Sequence, residues 1–290
     1  MPDPKVSVII PNYNYSQYLR EAIDSVLAQT VADIEIIVVD DGSTDGSKEI
    51  LDGYGERIRA AFQQNQGVSA ARNRGVSLSQ GEFVAFLDAD DSWLPGKIER
   101  QLYMFEGDPD LGLVHVGVVD VDGDGKEFRE HIDGREGSVS EDLLYFDGSV
   151  ILGGGSGLMV PRRIFDEAGG FDARLSTSAD WDMFYQICRR YRVGFVPEVL
   201  LKYRVHSSNM HGNIGAMEHD MLICFEKAFA NGHVTARDKC YGNLHKMLAG
   251  SYFRGGKYPD FARNAFLSIW KRPANLGYFL QFPLRRVRAK

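Results

Sequence analysis

Cysteine is scarce in this chain. Only Cys188, Cys224 and Cys240 occur among 290 residues, and no two stand in CxxC spacing. Neither a disulfide framework nor a thiolate zinc site is expected, and a reducing cytoplasm suits such a chain. Long apolar runs are also missing. No stretch approaches the ~20 residues that a membrane-spanning helix needs. The opening "MPDPKVSVII" lacks the basic start and apolar middle of a secretory signal. Positive charge is not in excess: 33 Lys and Arg face 40 Asp and Glu, for a net charge of -7. That balance argues against a general nucleic-acid binder. A P-loop is absent too. The glycine run "GGGSG" at 153–157 leads into "LMVPRRIF", with no GK[ST] after it. Internal repeats and low-complexity tracts are lacking.

What is present is ordinary for a globular protein: 44% hydrophobic and 25% charged residues. The length suits one large α/β domain or two small ones. The first hundred residues alternate between two periods. Apolar runs at 6–10, 35–39, 58–62 and 83–87 read as buried strands. Helical spacing fills the intervals, through Gln29, from "DDGSTDGS" to Leu51, and between Gly67 and Gly81. Strand, helix, strand, helix predicts βαβ units and a parallel sheet. Ligands of such sheets bind beyond the carboxyl ends of the strands. Three polar clusters fall there: "PNYN" after the first strand, "DDGS" after the second and "DADD" after the fourth.

Beyond residue 100 the pattern loosens. Residues 113–119 read as a strand, and "DVDGDGKEF" as a hairpin loop. It resembles a calcium loop only superficially, because the closing Glu of the twelve-residue pattern is absent. A helix is expected over 181–191, strands over 193–196 and 199–203, and helices from about Met217 onward.

The acid cluster carries the chemistry. Asp88 and Asp90 are two apart, so an extended backbone would point both carboxylates to one face. Paired carboxylates make a hard-oxygen site for Mg2+ or Mn2+ shared with substrate phosphates. The plain alternative is an acidic turn that caps the following helix, a role open to Asp91. Asp40 and Asp41 could accept from a nucleobase N–H or ribose hydroxyls. Capping is their alternative, with Ser43 and Asp45 as competitors. Tyr13 offers an aromatic face for a base. Arg72, on the helix after Gly67, offers a forked cation near the same edge.

Five segments together carry a resemblance: "VSVIIPNYNYSQYLREAIDSVLAQT", "IEIIVVDDGSTDGS", "NQGVSAARNRGVSLSQGEFVAFLDADDSW", "GGFDARLSTSADWDMFYQICRR" and "FVPEVLLKYRVH". In this order they resemble family 2 glycosyltransferases of the GT-A fold, over roughly residues 5–206. The resemblance implies an α/β fold with a Rossmann-like, mostly parallel central sheet flanked by helices, followed here by a C-terminal helical extension. It divides the chain into a nucleotide-sugar-binding half at 1–95, an acceptor-binding half at 96–206 and the extension at 207–290. It implies transfer of a sugar from a nucleoside diphosphate sugar to an acceptor hydroxyl, with inversion and a divalent cation, Mn2+ or Mg2+. Pro11, Tyr13, Asp41 and Arg72 would then lie around the base and Asp88 near the ribose. Asp90 would hold the metal, and His206 would approach it or the diphosphate. Asp180 would match the catalytic base. The family's Glu-Asp pair is broken, since Ala179 stands where Glu is usual; Asp182 is the acid that could compensate. Ser156 in the glycine run and Trp181 would face the acceptor. Asp180 and Trp181 have plainer alternatives as a helix cap and a packing residue. His206, and more weakly His211, could be simple loop residues.

Three other functions compete, of which a pure interaction protein is opposed by the intact acidic clusters. A nucleotidyltransferase would carry a basic, glycine-rich loop where "PNYNYSQ" has neither Lys nor Arg. A non-catalytic binder of nucleotide sugar or glycan would be consistent with Ala179. The expected donor is a UDP-sugar and the acceptor a glycan or lipid-linked saccharide of the cell surface. The last twenty residues, with Lys271, Arg272, Arg285, Arg286, Arg288 and Lys290 interleaved with aromatics, suggest peripheral contact with the inner face of the cell membrane. The alternative is a solvated basic tail whose aromatics pack on the body.

Overall fold

A computed structural model describes residues 4–146, 148–206, 212–230 and 236–281. His211 and the tail cations Arg285, Arg286, Arg288 and Lys290 lie outside them. The chain forms two compact units: residues 1–140 with 149–212, and residues 141–148 with 213–290.

The first unit is built on a nine-stranded sheet. Its opening half alternates as the sequence predicts: β1 (Val6–Asn12), α1 (Ser16–Leu27), β2 (Ile34–Asp40), α2 (Ser47–Asp52), β3 (Arg59–Phe62), α3 (Val68–Leu78) and β4 (Phe83–Phe86). β1 is buried along its whole length, as a strand covered on both faces must be. Helix α1 buries Leu19, Ala22, Ile23 and Val26, the spacing of one apolar stripe. β1 pairs in parallel with β2 and with β4, and β2 in parallel with β3. The carboxyl ends of all four strands therefore leave the same edge of the sheet.

Past β4 the sheet becomes mixed. β5 (Ser92–Trp93), α4 (Lys97–Gly107), β6 (Leu111–Val121), β7 (Glu127–His131), α5 (Ser140–Tyr145), β8 (Met159–Pro161), α6 (Arg162–Ala168), α7 (Ala179–Cys188) and β9 (Arg192–Arg204) follow. β8 pairs antiparallel with both β4 and β6, while β6 and β9 are parallel. The expected hairpin is present. β6 and β7 are antiparallel, and Asp122 Oδ1 accepts from the N–H groups of Asp124 and Lys126 to close the turn.

Several boundaries differ from the sequence reading. The runs at 193–196 and 199–203 are one strand, β9. Its register slips between Val116 and Gly117 of β6, which pair with Val196 and Val199, so Pro197 and Glu198 bulge out. Gly117 permits this: a Cβ there would sit 2.6 Å from the Glu198 carbonyl oxygen. Helix α7 begins at Ala179 with Ser178 as its N-cap residue, so Asp180 lies inside the first turn and is not the cap. Asp91 does not cap α4, whose N-cap position is Gly96.

The second unit is helical: it takes all but the first residue of α5, followed by α8 (Ile214–Ala230), α9 (Arg237–Arg254), α10 (Tyr258–Lys271) and α11 (Leu276–Leu280). Among the described residues, no helix is long and apolar enough to cross a membrane.

Candidate active site

The loops after β1 and β2 are knitted together. Asn12 Nδ2 donates to Asp40 Oδ2 (2.7 Å) and to Ser43 Oγ (3.1 Å), and Thr44 N donates to Asn14 Oδ1 (2.8 Å). Asp45 accepts from the backbone N–H of both Ser16 and Ser47, at the starts of α1 and α2. Burial acts to raise the Asp45 carboxyl, but these bonds and the Ser47 hydroxyl outweigh it and hold it below its ordinary value. Pro11 is buried in β1, whereas Tyr13 projects from this braced loop and is 46% exposed. Asp40 and Asp41 are buried. Asp40 braces Asn12 and the Ser43 amide (2.9 Å). Asp41 accepts from Gln63 Nε2 (2.7 Å), Gln66 N (2.9 Å) and Gly67 N (2.8 Å), and so fixes the approach to α3.

The acid cluster after β4 is a turn, not the extended segment expected. Asp91 N donates to the Asp88 carbonyl at 3.0 Å. Its three carboxylates have separate surroundings. Asp88 Oδ1 meets Arg72 at 2.6 Å. Asp91 is buried beneath the turn, accepting from Ser156 Oγ (2.6 Å) and Arg204 N (2.9 Å). Burial, with Asp90 and Asp88 nearby, pushes its carboxyl well above the usual range. Asp90 is also raised, by burial first and then by Asp88.

Arg72 bridges the two ends of the site. Expected beside the base, it is buried, with one guanidinium nitrogen on Asp88 and the other on Asp180 Oδ1 at 2.5 Å. It also lies over the Phe171 ring, 5.0 Å from the centroid. Burial opposes its charge, but Asp180 and Asp88 more than compensate and raise its pKa. Asp180 Oδ2 accepts from Gly155 N at 2.8 Å. A single cation thus ties the turn after β4 to the first turn of α7.

Ser156, expected on the acceptor side, is fully buried. Its hydroxyl donates to Asp91 and accepts from Asp88 N (3.0 Å), while its carbonyl accepts from Trp93 Nε1 (2.9 Å). It is an internal brace for the acid turn. Asp182, the acid expected to compensate for Ala179, is buried and receives Gln186 Nε2 at 3.3 Å. Ala179 is buried as well. Trp181 is half-buried and stacks on Tyr185, with ring centroids 5.7 Å apart and planes 8° from parallel.

At the other end, His206 Nε2 lies 3.0 Å from Asp90 Oδ2. The imidazole stacks on Tyr18 (5.5 Å) and meets the edge of Tyr15 (5.8 Å). Arg204 locks this arrangement. It donates to the Asp90 carbonyl (2.9 Å), to the Asp122 and Gly123 carbonyls and to Glu21 (2.6 Å), and its guanidinium covers the Tyr18 ring. Arg204, Tyr15, Tyr18 and Glu21 were not singled out from the sequence. The signal available was the run of tyrosines after β1 and the placement of Arg204 two residues before His206.

A carboxylate suits Mn2+ or Mg2+, which take one or two protein groups and complete their shell with phosphate oxygens and water, and an imidazole beside it suits Mn2+ better than the harder Mg2+. Asp90 and His206 fit that pattern. No three His, Cys, Asp or Glu side chains converge as a complete cage among the described residues.

Comparison with known proteins gives a consistent picture. A family model described as glycosyl transferase family 2 matches residues 7–169. An uncharacterized glycosyltransferase of Nostoc sp. is 39% identical over 220 residues, 71% of this chain and 66% of that protein. One from Rickettsia typhi is 37% identical over 207 residues, 71% and 65% of the two chains. The chain thus spans just under two thirds of the length of these relatives. TuaG of Bacillus subtilis, a glycosyltransferase provisionally named for teichuronic acid biosynthesis, is 45% identical over 108 residues, 36% of this chain and 43% of that one. Among solved structures, S. aureus TarS 1-349 in complex with UDP-GlcNAc aligns with a TM-score of 0.65 at 17% identity, over 96% of this chain and 81% of its own. A mannosyltransferase from Pyrobaculum calidifontis, in complex with GDP-Man and Mn2+, aligns with a TM-score of 0.65 at 19% identity, over 97% and 81%. These structural likenesses establish the shared fold.

Proposed function

The chain belongs to glycosyl transferase family 2, and on that premise we propose that it moves a sugar from a nucleoside diphosphate sugar to an acceptor hydroxyl with inversion. The observation that carries this reading is the Arg72 bridge between Asp88 and Asp180. It fixes a donor-side carboxylate and an acceptor-side carboxylate relative to each other. Asp180, steadied by Arg72 and Gly155 N, takes the proton of the acceptor hydroxyl as that oxygen attacks the anomeric carbon. The bond to the diphosphate breaks on the opposite face. Asp90 and His206 would hold a divalent cation, which when bound would supply charge neutralisation to the leaving diphosphate. Tyr13 receives the base, near Pro11 and the braced Asp40 and Asp41. Asp88 faces the ribose, and Trp181 offers its ring to the acceptor.

UDP-GlcNAc in the TarS complex makes a UDP-sugar the first donor to try. The name of TuaG supports a cell-surface polysaccharide, built on a glycan or lipid-linked acceptor, as the product. Peripheral contact with the inner face of the membrane through the basic C-terminal tail completes the proposal.

The test is a thermal-shift panel of UDP, GDP, CDP and dTDP, with and without Mn2+. A nucleotide at about a hundred times its dissociation constant should stabilise the protein by ~2.7 kcal/mol. Asp90→Asn should lose the metal-dependent part of that gain. Asp180→Asn should keep it while losing about a hundredfold or more of turnover. Wild-type turnover in Asp180→Asn removes the base assignment. No response to any nucleotide removes the donor site.

A further inference from the structure

Helix α10 is arranged unusually. The residues it buries are Asn264 and Ser268, both polar. Asn264 Oδ1 pairs with His245 Nδ1 of α9 at 2.7 Å, and Ser268 Oγ donates to the Gly242 carbonyl at 2.7 Å. Asn275 Nδ2 closes the same network on Gly242 O (2.9 Å) and Ser268 Oγ (3.0 Å). The inner side of α10 is therefore fastened to α9 by specific hydrogen bonds. Phe261 adds a ring contact with Phe253 of α9, at 5.2 Å between centroids, but two other large aromatics point elsewhere. Phe266 and Trp270, one helical turn apart and on one face, are each 67% exposed. On α11, Leu276 and Leu280 repeat this one-turn spacing at 47% and 70% exposure. Aromatics left in water in this way forgo the stabilisation that burial supplies, and clusters of them mark interaction sites.

Charge indicates what covers them. Residues 237–290 hold twelve Lys and Arg and two acids, a net +10. Residues 1–236 hold 21 and 38, a net -17. Lys271 and Arg272 directly follow Trp270; Lys271 Nζ lies 5.0 Å from its ring centroid and also pairs with Asp238 at 2.9 Å, so the attraction rests on the summed charge of the segment and not on this one side chain. Trp and Phe beside Lys and Arg, on a helix too short to span a bilayer, is the composition of a segment lying in a membrane interface. A positive surface attracts an anionic leaflet over about a Debye length, while the acidic remainder of the chain is repelled.

We infer that the exposed face of α10, continued by α11, is a docking surface for an anionic phospholipid bilayer, with Phe266 and Trp270 inserted among the headgroups. This rests on the peripheral contact proposed above and gives it particular residues. It does not depend on the donor chemistry.

The test uses the full chain in flotation assays with two vesicle compositions: phosphatidylcholine alone, and phosphatidylcholine with about one-third phosphatidylglycerol. Wild type should float with the anionic vesicles, stay behind with the neutral ones, and be released near 1 M salt, where the Debye length is about 3 Å. Phe266→Ser combined with Trp270→Ser should weaken flotation about tenfold or more. Both positions are exposed, and an unchanged nucleotide thermal shift would verify that the variant is folded. Failure of wild type to float, or equal flotation of the double variant, overturns the inference. So does a dimer by sedimentation that the double variant abolishes, since the face would then meet a second copy. Nucleotide shifts on the same samples separate this outcome from failure of the donor site.

Discussion

His115 shows how one side chain can carry a measurable part of the stability. It is completely buried in β6 and stacks on Phe195 with ring centroids 4.6 Å apart. Its Nε2 lies 2.8 Å from the Arg135 carbonyl, and its Nδ1 accepts from Leu152 N at 3.2 Å. A carbonyl on one nitrogen and an N–H on the other fix the neutral tautomer with its proton on Nε2. Protonating Nδ1 would set two donors against each other. Burial lowers the pKa from 6.5 to about 4, against a smaller opposing effect of the Arg135 carbonyl. Between those values the unfolded chain binds a proton that the folded chain refuses. Stability should therefore fall as pH drops from about 6.5 to about 4, by about 3 kcal/mol in all, and should be insensitive to this group above that window. His115→Gln supplies a donor and an acceptor without titrating. Urea melts of both proteins across the window should show this extra loss in wild type alone. Parallel pH profiles would remove His115 from the account.

At the scale of elements, the turn formed by Gly154–Gly157 decides how tightly the site closes. A Cβ at position 155 would lie 2.9 Å from Arg72 Nη2 and 3.5 Å from Asp180 Oδ1. Arg72 cannot swing aside freely, because both of its terminal nitrogens are held by carboxylates. Gly155→Ala should cost about 1–3 kcal/mol by overpacking. It should reduce turnover about tenfold, while the nucleotide thermal shift survives. Unchanged turnover would mean that the Arg72 bridge tolerates displacement without consequence for catalysis. The sequence shows this turn only as a glycine run, and that contrast holds more widely. Strands β1, β2 and β4 were legible because each is an apolar run between turn residues, and the three polar clusters at their ends followed from parallel pairing. The two-residue β5 was not legible, since its pairing with Leu201 and Lys202 of β9 depends on a strand more than a hundred residues away. Nor was the bulge at Pro197 and Glu198, which reads locally as a break between two strands. In the site, the acids themselves were visible. The turn that sorts them was not: the spacing pairs Asp88 with Asp90 on an extended backbone, whereas Asp91 N bonds the Asp88 carbonyl, and Ser156 and the Arg204 amide hold Asp91 beneath the turn.

The whole molecule is electrically two-sided along its sequence. A net charge of -7 describes neither part, since the first 236 residues and the last 54 carry opposite net charges. Patches of one sign are felt over about 10 Å at 0.1 M salt and over about 30 Å at 0.01 M. At low ionic strength an extended charged surface therefore responds to its local sign, not to the molecular sum. At pH 7 and low salt the protein should bind an anion exchanger, as its net charge demands, and should also bind a cation exchanger, which its net charge would forbid. Replacing Arg285, Arg286, Arg288 and Lys290 with Gln leaves eight of the twelve cations after residue 236. Retention on the cation exchanger should then shift to lower salt without being lost, while retention on the anion exchanger should strengthen. Flow-through of the wild type from a cation exchanger at low salt would show that its cations are neutralised within the folded protein. In that case charge could not direct α10 toward an anionic surface, and the exposed pair Phe266 and Trp270 would have to find its partner by apolar contact alone.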